Sequence, residues 1–275
     1  MQTQFLPPIG VFDSGLGGLS VLRELVKLLP NERFVYLADQ ARVPYGSRKL
    51  SDLRVIAQRV VEYLKVLDSK LIVIACNTAS AAALHTMRDN FLGFPFVGME
   101  PALKPAVYET KTKKVAVLAT PATFQGELFA NLLERYSDQV QVYAQACPGW
   151  VELVEDGLAD SPLAEQKVRE VTEPLLKEGV DTLVLGCTHY PFLLNTLRKV
   201  ISPEIRVLDP SPKVAKHTVN VLTTLHLRVP EDYNLPDATA QVAFYTTGNL
   251  EHFREQLHQV WDLPISDRFI YSVRV

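Results

Sequence analysis

Short runs of consecutive apolar residues alternate with helix-length amphipathic segments along this chain, and that alternation narrows the fold more than any other feature. The runs cover residues 9–12, 34–37, 71–75, 115–119, 140–144 and 182–186, with shorter ones near Phe96, Val207 and Phe244. They are apolar at nearly every position, not at every second one. That is the pattern of a strand covered on both faces, as in a parallel sheet. Helical patterns fill the intervals, over residues 19–29, 51–67, 79–90, 124–136, 163–178, 192–201, 214–225 and 250–260. The class is α/β.

A chain of 275 residues is long enough to divide into two domains. Its composition, 47% hydrophobic and 21% charged, is that of a globular protein and not of a disordered one. Twenty-eight basic against 31 acidic side chains give a net charge of −3, which argues against a general nucleic-acid binder. No apolar run is long enough to span a membrane. The opening stretch to Pro8 lacks the basic and apolar regions of a signal peptide, and no regulatory segment is expected before Ile9. A cytoplasmic protein is expected. Three cysteines, Cys76, Cys147 and Cys187, make no disulfide framework, and their spacing gives no zinc site.

The chain repeats itself. The run from Leu71 through Cys76, Asn77 and Thr78 is similar to that from Leu183 through Cys187, Thr188 and His189. Each is an apolar strand, a small residue, a cysteine and then hydrogen-bonding residues ahead of a helix. Each follows an earlier strand with a polar end, Asp13-Ser14 in one case and Thr120 in the other, across nearly equal lengths of chain. Two similar parallel-sheet domains, related by a pseudo-twofold and facing one another across one site, are expected. The crossings fall near Val97 to Pro101 and Leu208 to Pro212, giving domains of residues 1–98 plus 211–275, and 99–210.

Ligands of parallel α/β sheets bind beyond the carboxyl ends of the strands. Here those ends carry Asp13-Ser14, Asp39 with Pro44-Tyr45-Gly46, Cys76-Asn77-Thr78, Thr120 and Cys187-Thr188-His189. The glycines at 15, 17 and 18 invite a dinucleotide reading, but Ser20 stands where the third glycine of that fingerprint belongs, and Asp13 would repel a pyrophosphate. Glycines that only shape a tight turn leave Asp13 and Ser14 without a purpose. Cys147 reads as a small core residue. Cys76 and Cys187 differ from it because they occupy equivalent places, each beside a helix start that favours a thiolate. His189 can exchange a proton with Cys187, and Asp13 with Cys76. Two thiols on facing units suit a racemase, in which one group removes a proton from a carbon and the other supplies one to the opposite face. Hydroxyls and amides at Ser14, Asn77, Thr78 and Thr188 can hold the charged groups of an amino acid. No metal is indicated, and no lysine at these strand ends indicates pyridoxal phosphate.

With these residues the chain resembles the glutamate racemase family over nearly its whole length. The resemblance is carried by Gly10 to Leu19 with Asp13-Ser14-Gly15, Tyr36 to Asp39 with Val43-Pro44-Tyr45-Gly46, Ala75-Cys76-Asn77-Thr78-Ala79-Ser80, Gly98 to Pro101, and Gly186-Cys187-Thr188-His189-Tyr190-Pro191. It implies a racemase that needs no cofactor, interconverting L- and D-glutamate for peptidoglycan, and often a homodimer. It makes Cys76 and Cys187 the catalytic pair. It places Asp13, Ser14, Tyr45, Gly46, Asn77, Thr78, Thr188 and His189 at the substrate and Glu155 behind the histidine. Gly149-Trp150 departs from the bulky apolar pair usual after Cys147-Pro148, which bears on local packing. Two alternatives stay open on residue chemistry alone: a two-cysteine racemase of aspartate or a related acid, and a non-catalytic domain pair that closes on an anionic amino acid.

Overall fold

The apolar runs form the expected parallel strands. The structure is a computed structural model and describes residues 6–230, 233, 235 and 237–275. Residues 1–5, part of the stretch without signal-peptide character, lie outside the described residues. In chain order the first unit contains β1 (Ile9–Asp13), α1 (Leu19–Leu28), β2 (Phe34–Ala38), α2 (Leu50–Val66), β3 (Leu71–Ile74), α3 (Asn77–Asn90) and β4 (Phe96–Val97). The second contains α4 (Leu103–Glu109), β5 (Lys114–Ala119), α5 (Pro121–Gln125), α6 (Glu127–Tyr136), β6 (Gln141–Ala146), α7 (Trp150–Glu155), α8 (Pro162–Lys177), β7 (Thr182–Leu185), α9 (Leu194–Val200) and β8 (Arg206–Leu208). The chain then returns as α10 (Ser211–Thr224), β9 (Val242–Thr246), α11 (Leu250–Val260) and β10 (Ile270–Ser272).

The strands make two sheets, β10-β9-β2-β1-β3-β4 and β6-β5-β7-β8, with parallel pairing throughout. Each sheet places its second strand beside its first, then its third, then its fourth. The internal repeat is therefore a repeat of topology. Only the first sheet carries an extension, β9 and β10, paired onto β2. The fold is two parallel-sheet α/β domains.

Both faces of the central strands of each sheet are covered, as continuous apolar strands require, whereas the edge strand β6 is only half-buried. In the first sheet Val11, Tyr36 and Val73 pack with α1, α10 and α11 on one face, and Phe12, Leu37 and Ile74 with α2 and α3 on the other. In the second, Leu118 and Leu185 face α7, α8 and α9, and Val117 and Val184 face α4 and α6. Burying each such side chain stabilises by about 1.5–3 kcal/mol before ordering costs. Among the described residues no helix is long and apolar enough to cross a membrane.

Several elements differ from the sequence expectation. The pattern over 124–136 is not one helix. It breaks at Gly126, where a Cβ would lie 2.6 Å from the Ala81 Cβ and 2.9 Å from its carbonyl oxygen, so α3 packs closer there than a continuous helix allows. The Thr120 hydroxyl caps the short α5 by accepting the Thr123 N–H. The helices α4 and α7 and the strand β10 are too short to show a period. The departure at Gly149-Trp150 has a packing explanation. Gly149 adopts a left-handed φ of 82° at the start of α7, which favours glycine, and Trp150 is fully buried edge-on against Tyr190.

Candidate active site

The carboxyl ends of β1, β3, β5 and β7 meet at one small cavity between the two domains. Ser14, Tyr45, Gly46, Cys76, Asn77 and Thr78 form the first domain's wall, and Thr120, Val151, Cys187, Thr188 and His189 the second's. The structure thus brings together the residues singled out from the two halves of the repeat. Asp13 and Glu155 lie directly behind this lining, both buried. Thr120 was legible as a polar strand end, whereas Val151 carries no chemical signal in the sequence.

Cys76 is the N-cap of α3, and its sulfur accepts the Ala79 N–H at 3.4 Å. This contact favours a thiolate. Burial outweighs it and, with the negative charge of Asp13, pushes the thiol well above its usual 9.0. The Asp13 carboxylate accepts the Gly18 N–H at 2.9 Å and the Gly15 N–H at 3.3 Å, which gives the glycine turn its purpose. Burial also raises Asp13 above its ordinary 3.8, while His189, the Cys76 thiol and the Gly18 N–H work the other way. A carboxyl and a thiol whose affinities for a proton are both raised can pass one between them.

Cys187 has different surroundings. The chain after it turns through Tyr190–Leu193 as a 3-10 segment, and α9 begins only at Leu194, so Cys187 does not cap an α-helix as the repeat suggested. Its partner is the His189 Nδ1, 3.8 Å from the sulfur. The other ring nitrogen, Nε2, lies 2.6 Å from Glu155 Oε1. An ionised carboxylate only accepts, so Nε2 carries a proton and Nδ1 is the nitrogen turned to the thiol. Burial alone would lower His189, but its hydrogen bonds to Cys187 and Glu155 hold it well above the usual 6.5. Burial alone would raise Glu155, yet the bonds from His189, the Leu16 N–H and Gln40 hold it below 4.5. Glu155 is therefore a buried anion paired with an imidazolium, not a solvated helix charge.

The polar lining is divided between committed and free groups. The hydroxyls of Thr78, Thr120 and Thr123 form a triangle with sides of 2.8, 3.2 and 2.9 Å. Tyr45 donates its hydroxyl to Asp39 at 2.6 Å, so that group is already committed. Asn77 has both its side-chain nitrogen and oxygen buried without a hydrogen-bond partner among the described residues. Leaving such groups unmet costs about 1–3 kcal/mol each, so a buried amide beside this cavity is equipped for a polar ligand. Cys147 stays out of the site. Burial pushes its thiol up, and it packs with Trp150 and Leu153 as a core residue.

Two like α/β domains each set a thiol on one wall of a shared cavity, and comparison with known proteins gives the family to which such a chain belongs. The pattern of the Asp/Glu/Hydantoin racemase family matches residues 9–218, and the chain belongs to this family. A glutamate racemase of Roseiflexus sp. (strain RS-1) is 46% identical over 264 residues, covering 96% of this chain and 95% of that protein. One from Methylococcus capsulatus is 49% identical over 210 residues, covering 76% and 77%. Among solved structures, glutamate racemase isoform RacE1 of Bacillus anthracis superposes with a TM-score of 0.85 at 31% identity over 98% of both chains. The Escherichia coli glutamate racemase, solved with L-glutamate and the activator UDP-MurNAc-ala, gives 0.84 at 29% identity over 98% of this chain and 99% of that one.

Proposed function

We propose that this protein interconverts L- and D-glutamate by two-base proton transfer at Cα, with Cys76 and Cys187 as the two bases. The single observation that carries the reading is that both thiols line one cavity from opposite domains, each backed by its own proton-exchanging group. Ser14, Tyr45, Gly46, Asn77, Thr78, Thr188 and His189 line the same cavity and hold the substrate, with Asp13 behind Cys76. From L-glutamate, the Cys187 thiolate takes the Cα proton on one face. The Cys76 thiol then delivers its proton to the other face, and D-glutamate leaves. The reverse reaction exchanges the roles. A carbanion held between fixed walls cannot turn over, so a single base cannot serve both hands. Asp13 serves Cys76, and His189, oriented by Glu155, serves Cys187. Every proton is assigned to the chain's own groups.

The domains divide in this reading at 98/99 and 210/211, as sheet membership supports. The product supplies peptidoglycan synthesis in the cytoplasm, and the working form is a homodimer. Sedimentation checks the last point.

The test is racemisation in deuterated water. Starting from either enantiomer, early product carries deuterium at Cα while remaining substrate keeps protium. The donor thiol has exchanged with solvent, whereas the abstracting thiol returns the proton it took. Early deuterium in recovered substrate equal to that in product sinks the two-base reading. Rapid turnover of aspartate but not glutamate sinks the substrate.

A further inference from the structure

We propose that Gln40 and Gln256 are positioning residues which hold Glu155 and His189 in line with Cys187, so that the β9–α11 extension takes part in setting that thiol's proton-exchanging group. This rests on the two-thiol reading above.

The observation is a closed chain of hydrogen bonds running from the extension into the second domain. The Gly248 N–H donates to Thr246 Oγ1 at 3.0 Å, and the Thr246 hydroxyl donates to Gln40 Oε1 at 3.0 Å. The Gln40 amide donates to Glu155 Oε2 at 3.1 Å and to Gln256 Oε1 at 2.8 Å. The Gln256 amide donates to the backbone carbonyl of Glu155 at 2.5 Å. The directions are forced. Gln40 faces two acceptors, a carboxylate and a carbonyl, so its nitrogen must point there and its oxygen toward Thr246.

Glu155 is thereby gripped at both ends. Gln256 fixes the backbone where α7 stops, and Gln40 takes the carboxylate oxygen that His189 leaves free. The Leu16 N–H shares the other oxygen with His189 at 2.7 Å. A carboxylate with two or three fixed donors stays ionised and cannot swing, whereas a second oxygen left unmet would let it take up a proton and swing. Titratable groups facing Glu155 are His189, Asp13 and Tyr36. Gln40 is among the groups that keep Glu155 below its ordinary range.

The clamp is one-sided. Thr246 ends β9 and Gln256 lies on α11, two elements for which the second sheet has no counterpart. Cys76 is instead served from within its own domain, by Asp13 and the start of α3. The extension also reaches the Cys76 wall, where the Thr247 hydroxyl donates to Asp39, the acceptor of the Tyr45 hydroxyl, but the two glutamine amides end on Glu155 and so act on the proton-exchanging group of Cys187.

The two half-reactions separate this role from a merely structural one. The overall constants for the two directions cannot, because the equilibrium between enantiomers ties them together. A β-substituted glutamate bearing a leaving group needs only abstraction. The thiolate takes the Cα proton, a Cα=Cβ double bond forms, and the leaving group departs with the Cβ bonding pair. Wild-type protein is first shown to racemise glutamate; if it does not, the functional reading fails and not the clamp. Gln40→Leu and Gln256→Leu are then expected to slow elimination from the L-analogue by about tenfold to a hundredfold. They should leave the D-analogue within about twofold. The acid limb of the L-reaction should move to higher pH in Gln40→Leu, since a carboxylate that loses a donor protonates sooner. Should either leucine variant fail to fold, Thr246→Val removes only the outermost hydroxyl and should slow the L-reaction by a smaller factor. Equal slowing of both hands, or no slowing of either, overturns the proposal.

Discussion

Gly17 packs against His189 so closely that a methyl group at position 17 would overlap the imidazole Nδ1 and the Thr188 hydroxyl. The glycine turn of one domain is thus the seat for the histidine of the other. Gly15 stands in the same relation to the Glu155 carboxylate. The absence of side chains at these two positions is what lets His189 and Glu155 reach across to the first domain.

Gly17→Ala is accordingly expected to disturb the closed site more than the fold. Overpacking of this kind costs about 1–3 kcal/mol. The added methyl pushes His189 from the Cys187 sulfur, and kcat/KM should fall by about a hundredfold. Steady-state kinetics and a melting curve check this. A variant with normal kinetics would show that His189 does not sit against Gly17 as described.

The thiols should separate in the half-reactions. Either Cys76→Ser or Cys187→Ser should lower racemisation by about a thousandfold or more, because each thiol is base in one direction and acid in the other. Elimination should survive selectively: Cys76→Ser retains it with the L-analogue and Cys187→Ser with the D-analogue. If Cys76→Ser handles the L-analogue no better than Cys187→Ser does, the assignment of faces is wrong.

Asp13→Asn should have opposite effects on reactivity and turnover. Asp13 is one cause of the raised Cys76 thiol, so its neutral amide lowers that thiol and leaves more thiolate at a given pH. With the other two cysteines replaced by serine, Cys76 should alkylate faster with iodoacetamide and its rate profile should move to lower pH. In the otherwise native chain racemisation should nevertheless fall. An unchanged alkylation profile would make Asp13 a structural anchor for the glycine turn.

The His189–Glu155 pair should leave its mark on stability. Glu155 is held below 4.5, so its contribution is present above that pH and is lost as the acid range is entered and its folded value is crossed. His189 is held well above 6.5, so its contribution is complete below that pH and fades as pH rises through its folded value. Both are in force between pH 4.5 and 6.5. The melting-temperature loss of Glu155→Gln should be largest in that interval and shrink on either side. A loss independent of pH would mean that the pair is not ionised.

Much of this was legible from Cys76 and Cys187. Consecutive apolar residues ahead of each marked buried strands, the polar residues after each line the candidate cavity, and their similarity matches the repeated topology. The return of the chain was legible too, since β9 and α11 carry clear patterns near Phe244 and over 250–260. Glu155 came through family resemblance alone, because α7 is six residues long and a single charged residue on so short an element has no period to betray its burial. Gln40 and Gln256 were invisible for another reason. Their meaning lies in a contact across 216 residues of chain, and an isolated glutamine carries no local pattern. The break at Gly126 depended likewise on Ala81 of a neighbouring helix.

The return of the chain into its first unit has a mechanical consequence. The backbone passes between the halves twice, and residues from both passages, Gly98 to Ala102 and Pro210 to Val214, line one cavity. Two adjacent tethers resist shear and torsion better than one and leave bending as the softest coordinate between the bodies they join. Such a joint behaves like the spine of a book. One sulfur rides on each cover, so in the proposed reaction any bending at this joint would change the gap between the two sulfurs and the width of the cavity together. Substrate admission and proton-transfer distance would then be read on the same angular scale.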